Sequence, residues 1–154
     1  MKRVLCFLLI LSLVILSGCS RERKYRFLQD IKEIKKIEIV EVPYDNNETA
    51  RAVRTEILNC NFDSVVFYST VEGHDISEFL DKFTSMSCRS AFLDPSDNIF
   101  GHSFLITFND NSWQLVNCYS GLSYDTNKSK FYYPTYYFQQ DEFDSLWERY
   151  AQVE

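Results

Sequence analysis

Glycine and proline are scarce, with four and three residues respectively in a chain of 154. That scarcity excludes collagen-like, linker-like and low-complexity chains. Gly73, Gly101 and Gly121 stand isolated, so the sequence has no glycine-rich phosphate cradle. No C-x-x-C occurs, and cysteines and two histidines at unrelated spacings do not make a zinc pattern. Cationic residues are outnumbered, 16 against 22 acidic, for a net charge of −6. Nucleic acid is therefore not an expected partner, because phosphate binding needs clustered cations. Nor do the carboxylates form a pattern. Asp94-Pro95-Ser96-Asp97-Asn98 reads as a turn without the spacing or glycine of a calcium loop. Asp141, Glu142 and Asp144 open a predicted helix, where negative charge is favoured anyway. No cofactor and no metal are expected.

What is present is apolar: 45% hydrophobic and 16% aromatic residues suffice for a folded core and rule out disorder as the ground state. The length bounds it to one domain.

Lys2 and Arg3 precede thirteen residues, Val4 to Leu16, that are apolar except for Ser12. A helix of that length spans roughly 20 Å, short of the ~30 Å hydrocarbon core, so the run reads as the core of a signal peptide. It ends in Leu16-Ser17-Gly18-Cys19. This segment resembles the lipobox of bacterial lipoproteins, a resemblance confined to residues 1–19. It implies cleavage before Cys19 and diacylglycerol on the Cys19 sulfur, with the lipid bilayer as a partner; dual acylation gives a stable anchor. The expected organisation is a signal peptide over 1–18, a lipidated Cys19 with a short basic stub over 19–26, and one globular domain over 27–154. Ser20 stands where such proteins use Asp for inner-membrane retention. The expected address is thus the outer membrane of a Gram-negative cell or the outer face of the plasma membrane of a Gram-positive one. From Phe27 onward, ten basic residues face 21 acidic ones, a charge of −11.

Phe27, Leu28, Ile31 and Ile34 recur at helical spacing and predict a first helix over 22–35. Ile37 to Val42 predicts a strand stopped by Pro43, and Tyr44 to Thr49 a turn. Val53, Thr55 and Ile57 alternate with charged residues and predict a return strand, followed by a third over Ser64–Val71, buried on both faces. Asp75 and Glu78 resemble a capping box opening a helix with Ile76, Phe79, Leu80 and Phe83 on one face. Asp141 is the expected cap of a last helix carrying Phe143, Leu146, Trp147 and Tyr150. Between these helices, Asp110-Asn111 predicts a two-residue hairpin loop, a register in which paired numbers sum to 221. That register sets Phe108 against Trp113, Ile106 against Leu115 and His102 against Tyr119 on one face. A strand over Phe131–Phe138 contains Pro134 and belongs at an edge or a bulge. The expectation is an α+β domain: a mainly antiparallel sheet of five to six strands with two or three helices packed on one face.

Cys60, Cys88 and Cys118 remain after loss of the leader. They allow one bridge, or serve as small buried hydrophobes. Asn117-Cys118-Tyr119-Ser120-Gly121 resembles the nucleophile segment of cell-wall Cys/His peptidases, with His102 as the imidazole. It departs from that pattern in order and context, and the 221 register places Cys118 and His102 on opposite faces, out of hydrogen-bond reach. Tyr132, Tyr133, Tyr136 and Tyr137 form the candidate binding surface, since four tyrosines on one edge strand cannot all face a core. The expected function is a non-catalytic binding module of the cell envelope with a protein partner. The alternative is an inhibitor or immunity-type lipoprotein that blocks a basic toxin or envelope hydrolase; a thiol hydrolase is the remaining class.

Overall fold

A computed structural model describes residues 22–90, 99–133 and 136–151. The leader with Cys19, the predicted turn at Asp94–Asn98 and Pro134 lie outside the described residues. Two antiparallel sheets and three α-helices make up the rest, an α+β fold as expected.

The elements are β1 (Glu22–Arg23), β2 (Ile34–Val42), α1 (Asn47–Leu58), β3 (Val66–Glu72), α2 (Asp75–Ser85), β4 (Cys88–Ser90), β5 (Gly101–Phe108), β6 (Trp113–Asn117), β7 (Gly121–Asp125), β8 (Lys130–Tyr132), β9 (Tyr136–Phe138) and α3 (Gln140–Ala151). The large sheet has the order β3-β2-β5-β6-β7-β8, and the small one β1-β4-β9. Every pairing is antiparallel.

The period-2 alternation of β2 divides the molecule. Ile37 and Ile39 face a layer formed by α2, α3 and the small sheet, where Phe79, Phe83, Phe104, Phe108 and Phe143 are fully buried. Each such phenylalanine contributes roughly 1.5–3 kcal/mol by burial. Val40 and Val42 face the opposite side with Val53 and Ile57 of α1, Leu105, Trp113, Leu115 and Leu122. Two helices thus share one face, and the third covers the other.

Several sequence expectations are corrected. The predicted helix over 22–35 is an extended segment followed by a 3-10 turn, Ile31–Glu33, capped by Asp30, which accepts from the Lys32 amide at 3.0 Å. Tyr25 and Phe27 point inward while Lys24 and Arg26 are exposed, a period of two rather than 3.6. The return strand at Val53–Ile57 is helix α1. Asn46, assigned to a turn, caps it by accepting from the amides of Glu48 and Thr49, and Ala50, Val53 and Ile57 form its buried stripe. Strand β3 is not buried on both faces: Val66, Phe67 and Tyr68 are exposed and only Val71 is buried. Helix α2 spans the expected residues, but its cap position is His74, without a side-chain capping bond, so the Asp75–Glu78 box does not form. Helix α3 starts at Gln140, which puts Asp141 in its first turn.

The hairpin register is corrected too. Leu105 pairs with Leu115 and Thr107 with Trp113, so paired numbers sum to 220. The loop holds three residues, Asn109–Asn111, because the Phe108 amide donates to the Ser112 carbonyl and Asn111 takes a left-handed φ of 64°. Asp110 holds this turn by accepting from the Ser112 amide at 2.8 Å and hydroxyl at 2.9 Å. A one-residue slip exchanges the faces of a strand. Phe104, Ile106 and Phe108 therefore face the helical layer with Val116, whereas Leu105, Trp113 and Leu115 face α1. The strand predicted over Phe131–Phe138 is two strands, β8 and β9, in different sheets.

Candidate functional site

Extending the observed register one step past Ser103–Asn117 brings His102 opposite Cys118, on the face shared by Phe104 and Val116. Glu41 of β2 pairs with His102, and Val66 of β3 pairs with Glu41. A row Val66, Glu41, His102, Cys118 thus crosses four strands at one end of the large sheet. Helix α3 covers it with Gln140, Asp144 and Trp147, spaced to share one helical face. Glu41, His102, Cys118, Gln140 and Asp144, together with Phe100, Gly101, Asn117 and Tyr119, line a cavity of about 310 Å³. Gly101 has φ 87°, a backbone conformation that a side chain would strain.

The imidazole of His102 is held on two sides. Its Nδ1 lies 2.9 Å from the Asp144 carboxylate, and its ring stacks on Trp147 with centroids 3.8 Å apart and 9° between planes. Asp144 also accepts from the Gln140 amide at 2.6 Å, and the Trp147 indole N–H donates to the Val40 carbonyl at 2.9 Å. A carboxylate at Nδ1 fixes the proton there, leaving Nε2 as the nitrogen that can accept one.

The expected separation of His102 and Cys118 onto opposite faces does not hold; they share one. The thiol nevertheless lacks the character of a nucleophile. Cys118 is 4% exposed, and its Sγ donates to the Phe138 carbonyl at 3.3 Å. Burial, reinforced by the charge of Asp144, pushes its pKa up to about 11. An activated cysteine needs the opposite shift. Cys88 is also buried and Cys60 is exposed, and all three thiols are free. Among the described residues, no group of three or more His, Cys, Asp or Glu is placed to hold a metal ion.

The four candidate tyrosines do not form one surface. Tyr132 is half-buried at the end of β8, with the ammonium groups of Lys130 and Lys128 over its ring at 5.3 and 6.0 Å. Tyr133 and Tyr137 are exposed. Tyr136 belongs to the core, where its hydroxyl donates to that of Tyr25 at 2.8 Å. Period-2 alternation in β9 explains the split, turning Tyr136 and Phe138 inward and Tyr137 outward.

Sequence reasoning missed the exposed edge at β3. Tyr68 donates to Glu41 at 2.7 Å, and its ring meets Trp147 edge-on at 4.8 Å. The apolar edge Val66–Phe67–Tyr68 therefore runs into the cleft through Glu41. On the other side, Tyr119 is exposed and Tyr44 packs against Phe100 at 5.3 Å. The signal for this edge was three bulky residues in succession without the lysine or proline that blunts edge strands.

Among the described residues, no helix is long and apolar enough to cross a membrane. No family model matches the chain, and no curated protein or solved structure is similar to it.

Proposed function

We propose that this chain is a lipid-anchored protein of the bacterial cell envelope whose domain binds a partner and catalyses no reaction. The leader ending in Leu16-Ser17-Gly18-Cys19 supports the anchor, with an outer-membrane or outer-leaflet address according to envelope type. The observation that carries the binding reading is the composition of the cleft. It presents two carboxylates, Glu41 and Asp144, among aromatic residues, while its one thiol stays protonated, shielded and bonded to a carbonyl. Such a site suits a cationic side chain of a partner, and the acidic body steers a basic molecule toward it. That charge favours the inhibitor or immunity-type version, in which the partner is a basic toxin or envelope hydrolase.

Trp147 beside His102 provides a reporter. Titration with short lysine- and arginine-rich peptides is expected to change its fluorescence saturably, and Glu41→Gln to weaken the response at least threefold. A response absent with basic peptides, or unaltered in Glu41→Gln, sinks the cleft as the binding site. Hydrolysis of a peptide or cell-wall fragment that Cys118→Ser abolishes would replace binding with thiol chemistry.

A further inference from the structure

From Glu22 onward the basic stretch after Cys19 is not a free tether. Glu22 and Arg23 form β1, antiparallel to β4 at the edge of the small sheet. The segment stays extended through Tyr25, whose ring meets Phe83 at 5.1 Å and Tyr136 at 4.6 Å and whose hydroxyl accepts from Gln114 at 3.2 Å. The Leu28 amide donates to the same Gln114 at 2.7 Å. This stretch of chain is therefore bound into the core rather than hanging from it.

Three residue steps separate Cys19 from Glu22 and span at most about 11 Å. A body of this size has a radius of gyration of roughly 14 Å. A lipid on Cys19 cannot reach past the near side of the molecule. We infer that the outer face of the three-stranded sheet is the face apposed to the membrane, where it meets anionic phospholipid headgroups; this rests on the lipid-anchor reading above.

The chemistry of that face agrees. Cys88, Tyr136 and Phe138 turn inward and are buried. Arg89 and Tyr137, paired across β4 and β9, turn outward and are exposed, as are Lys24 and Arg26. Lys24, Arg26 and Arg89 bring three exposed cations to this region, where Glu22 pairs with Arg89. Elsewhere the domain is strongly acidic, so an anionic surface attracts this face and repels the others. A cavity of about 180 Å³ opens here, lined by Ser87, Arg89, Tyr137, Phe138 and Gln139. A guanidinium beside a phenol suits a phosphate attached to a glyceride, since arginine binds phosphate oxygens in a planar fork and tyrosine settles at membrane interfaces.

The test uses full-length protein extracted from membranes and reconstituted into vesicles of phosphatidylcholine and phosphatidylglycerol at 7:3. Intact mass first reads the state of Cys19. A fluorophore is then placed on Tyr137→Cys or Lys24→Cys in a Cys60→Ser background, and on native Cys60 as the reference beyond α1. Quenching by nitroxide-headgroup lipid is expected to be at least twofold stronger at 137 and 24 than at 60. Arg89→Glu combined with Lys24→Glu is expected to bring the ratio between 137 and 60 toward one. Equal quenching at all positions of a lipidated protein overturns this orientation and leaves the anchor standing. A ratio that the charge reversals do not change overturns the headgroup contact. A mass without diacylglycerol on Cys19 overturns the anchor reading and the orientation together.

Discussion

The Tyr136 hydroxyl donates to the Tyr25 hydroxyl across 2.8 Å, with 111 positions of sequence between them. Both rings are buried, and the Gln114 amide donates to the same Tyr25 oxygen while also reaching Ser123. Tyr25→Phe removes the acceptor from two buried donors, and leaving buried donors unsatisfied costs about 1–3 kcal/mol. Tyr25→Phe with Tyr136→Phe is expected to cost less than the sum of the single changes, because the pair is coupled. Urea midpoints at constant slope measure both; strict additivity would show that the pair contributes nothing as a unit.

Thiol reactivity separates the three cysteines. Cys60 is exposed, whereas burial pushes Cys88 and Cys118 up to about 11. Among Cys60, Cys88 and Cys118, alkylation of the native protein at pH 8 is expected to label Cys60 alone, and all three after denaturation. A Cys118 that labels as fast as Cys60 would reopen the thiol-hydrolase reading, since that rate requires an accessible thiolate.

The same burial sets an alkaline limit on stability. Cys88 and Cys118 rise from 9.0 to about 11, and burial raises Tyr25 and Tyr136 above their ordinary 10.0. Below pH 9 these groups are protonated in both states and contribute no pH dependence. Above it the unfolded chain releases protons that the folded chain retains, so stability falls as pH rises from about 9 toward 11 and beyond. The urea midpoint is expected to be lower at pH 10.5 than at pH 7.5. Tyrosinate absorbance from Tyr25 and Tyr136 is expected to appear only with unfolding.

Two helix starts differ in their chemistry. Asn46 accepts two amide hydrogen bonds at 3.0 Å, while His74 makes no capping bond and instead meets exposed Asp75. Asn46→Ala is expected to destabilise by about 1 kcal/mol and His74→Ala by less than about 0.5. Equal losses in thermal denaturation would contradict the assignment of the first cap.

Where local pattern and tertiary burial agree, the fold is legible in the residues. Phe79, Leu80 and Phe83, and likewise Phe143, Leu146 and Trp147, recur at helical spacing and are buried in helices. Helix α1 was hidden because Val53, Thr55 and Ile57 also satisfy a strand's alternation and have strand-forming side chains. Its cap, Asn46, lies in a run of polar residues that suits a turn equally well. The loop Asn109–Ser112 admits a two- or a three-residue closure, and the Phe108 amide bonded to the Ser112 carbonyl, with the Ser112 amide and hydroxyl donating to Asp110, selects the latter. That single step moved Cys118 to the side of His102. The cleft was illegible for a related reason: Asp144 serves a helix N-terminus in sequence, and only tertiary packing brings it to an imidazole 42 positions away.

The strand at Glu22–Arg23 has a consequence for folding kinetics. It is the first described element, yet it pairs with β4, and the neighbouring Tyr25 closes on Tyr136 and Phe138 near the far end. Contacts of such long range must bear the entropy of closing most of the chain before they stabilise anything. A nascent chain that stops short of Tyr136 has neither β9 nor α3 to cover the aromatic layer. The aromatic layer is therefore expected to close only once residues 136–151 have been made, so folding of this core waits on its most distant strand and helix.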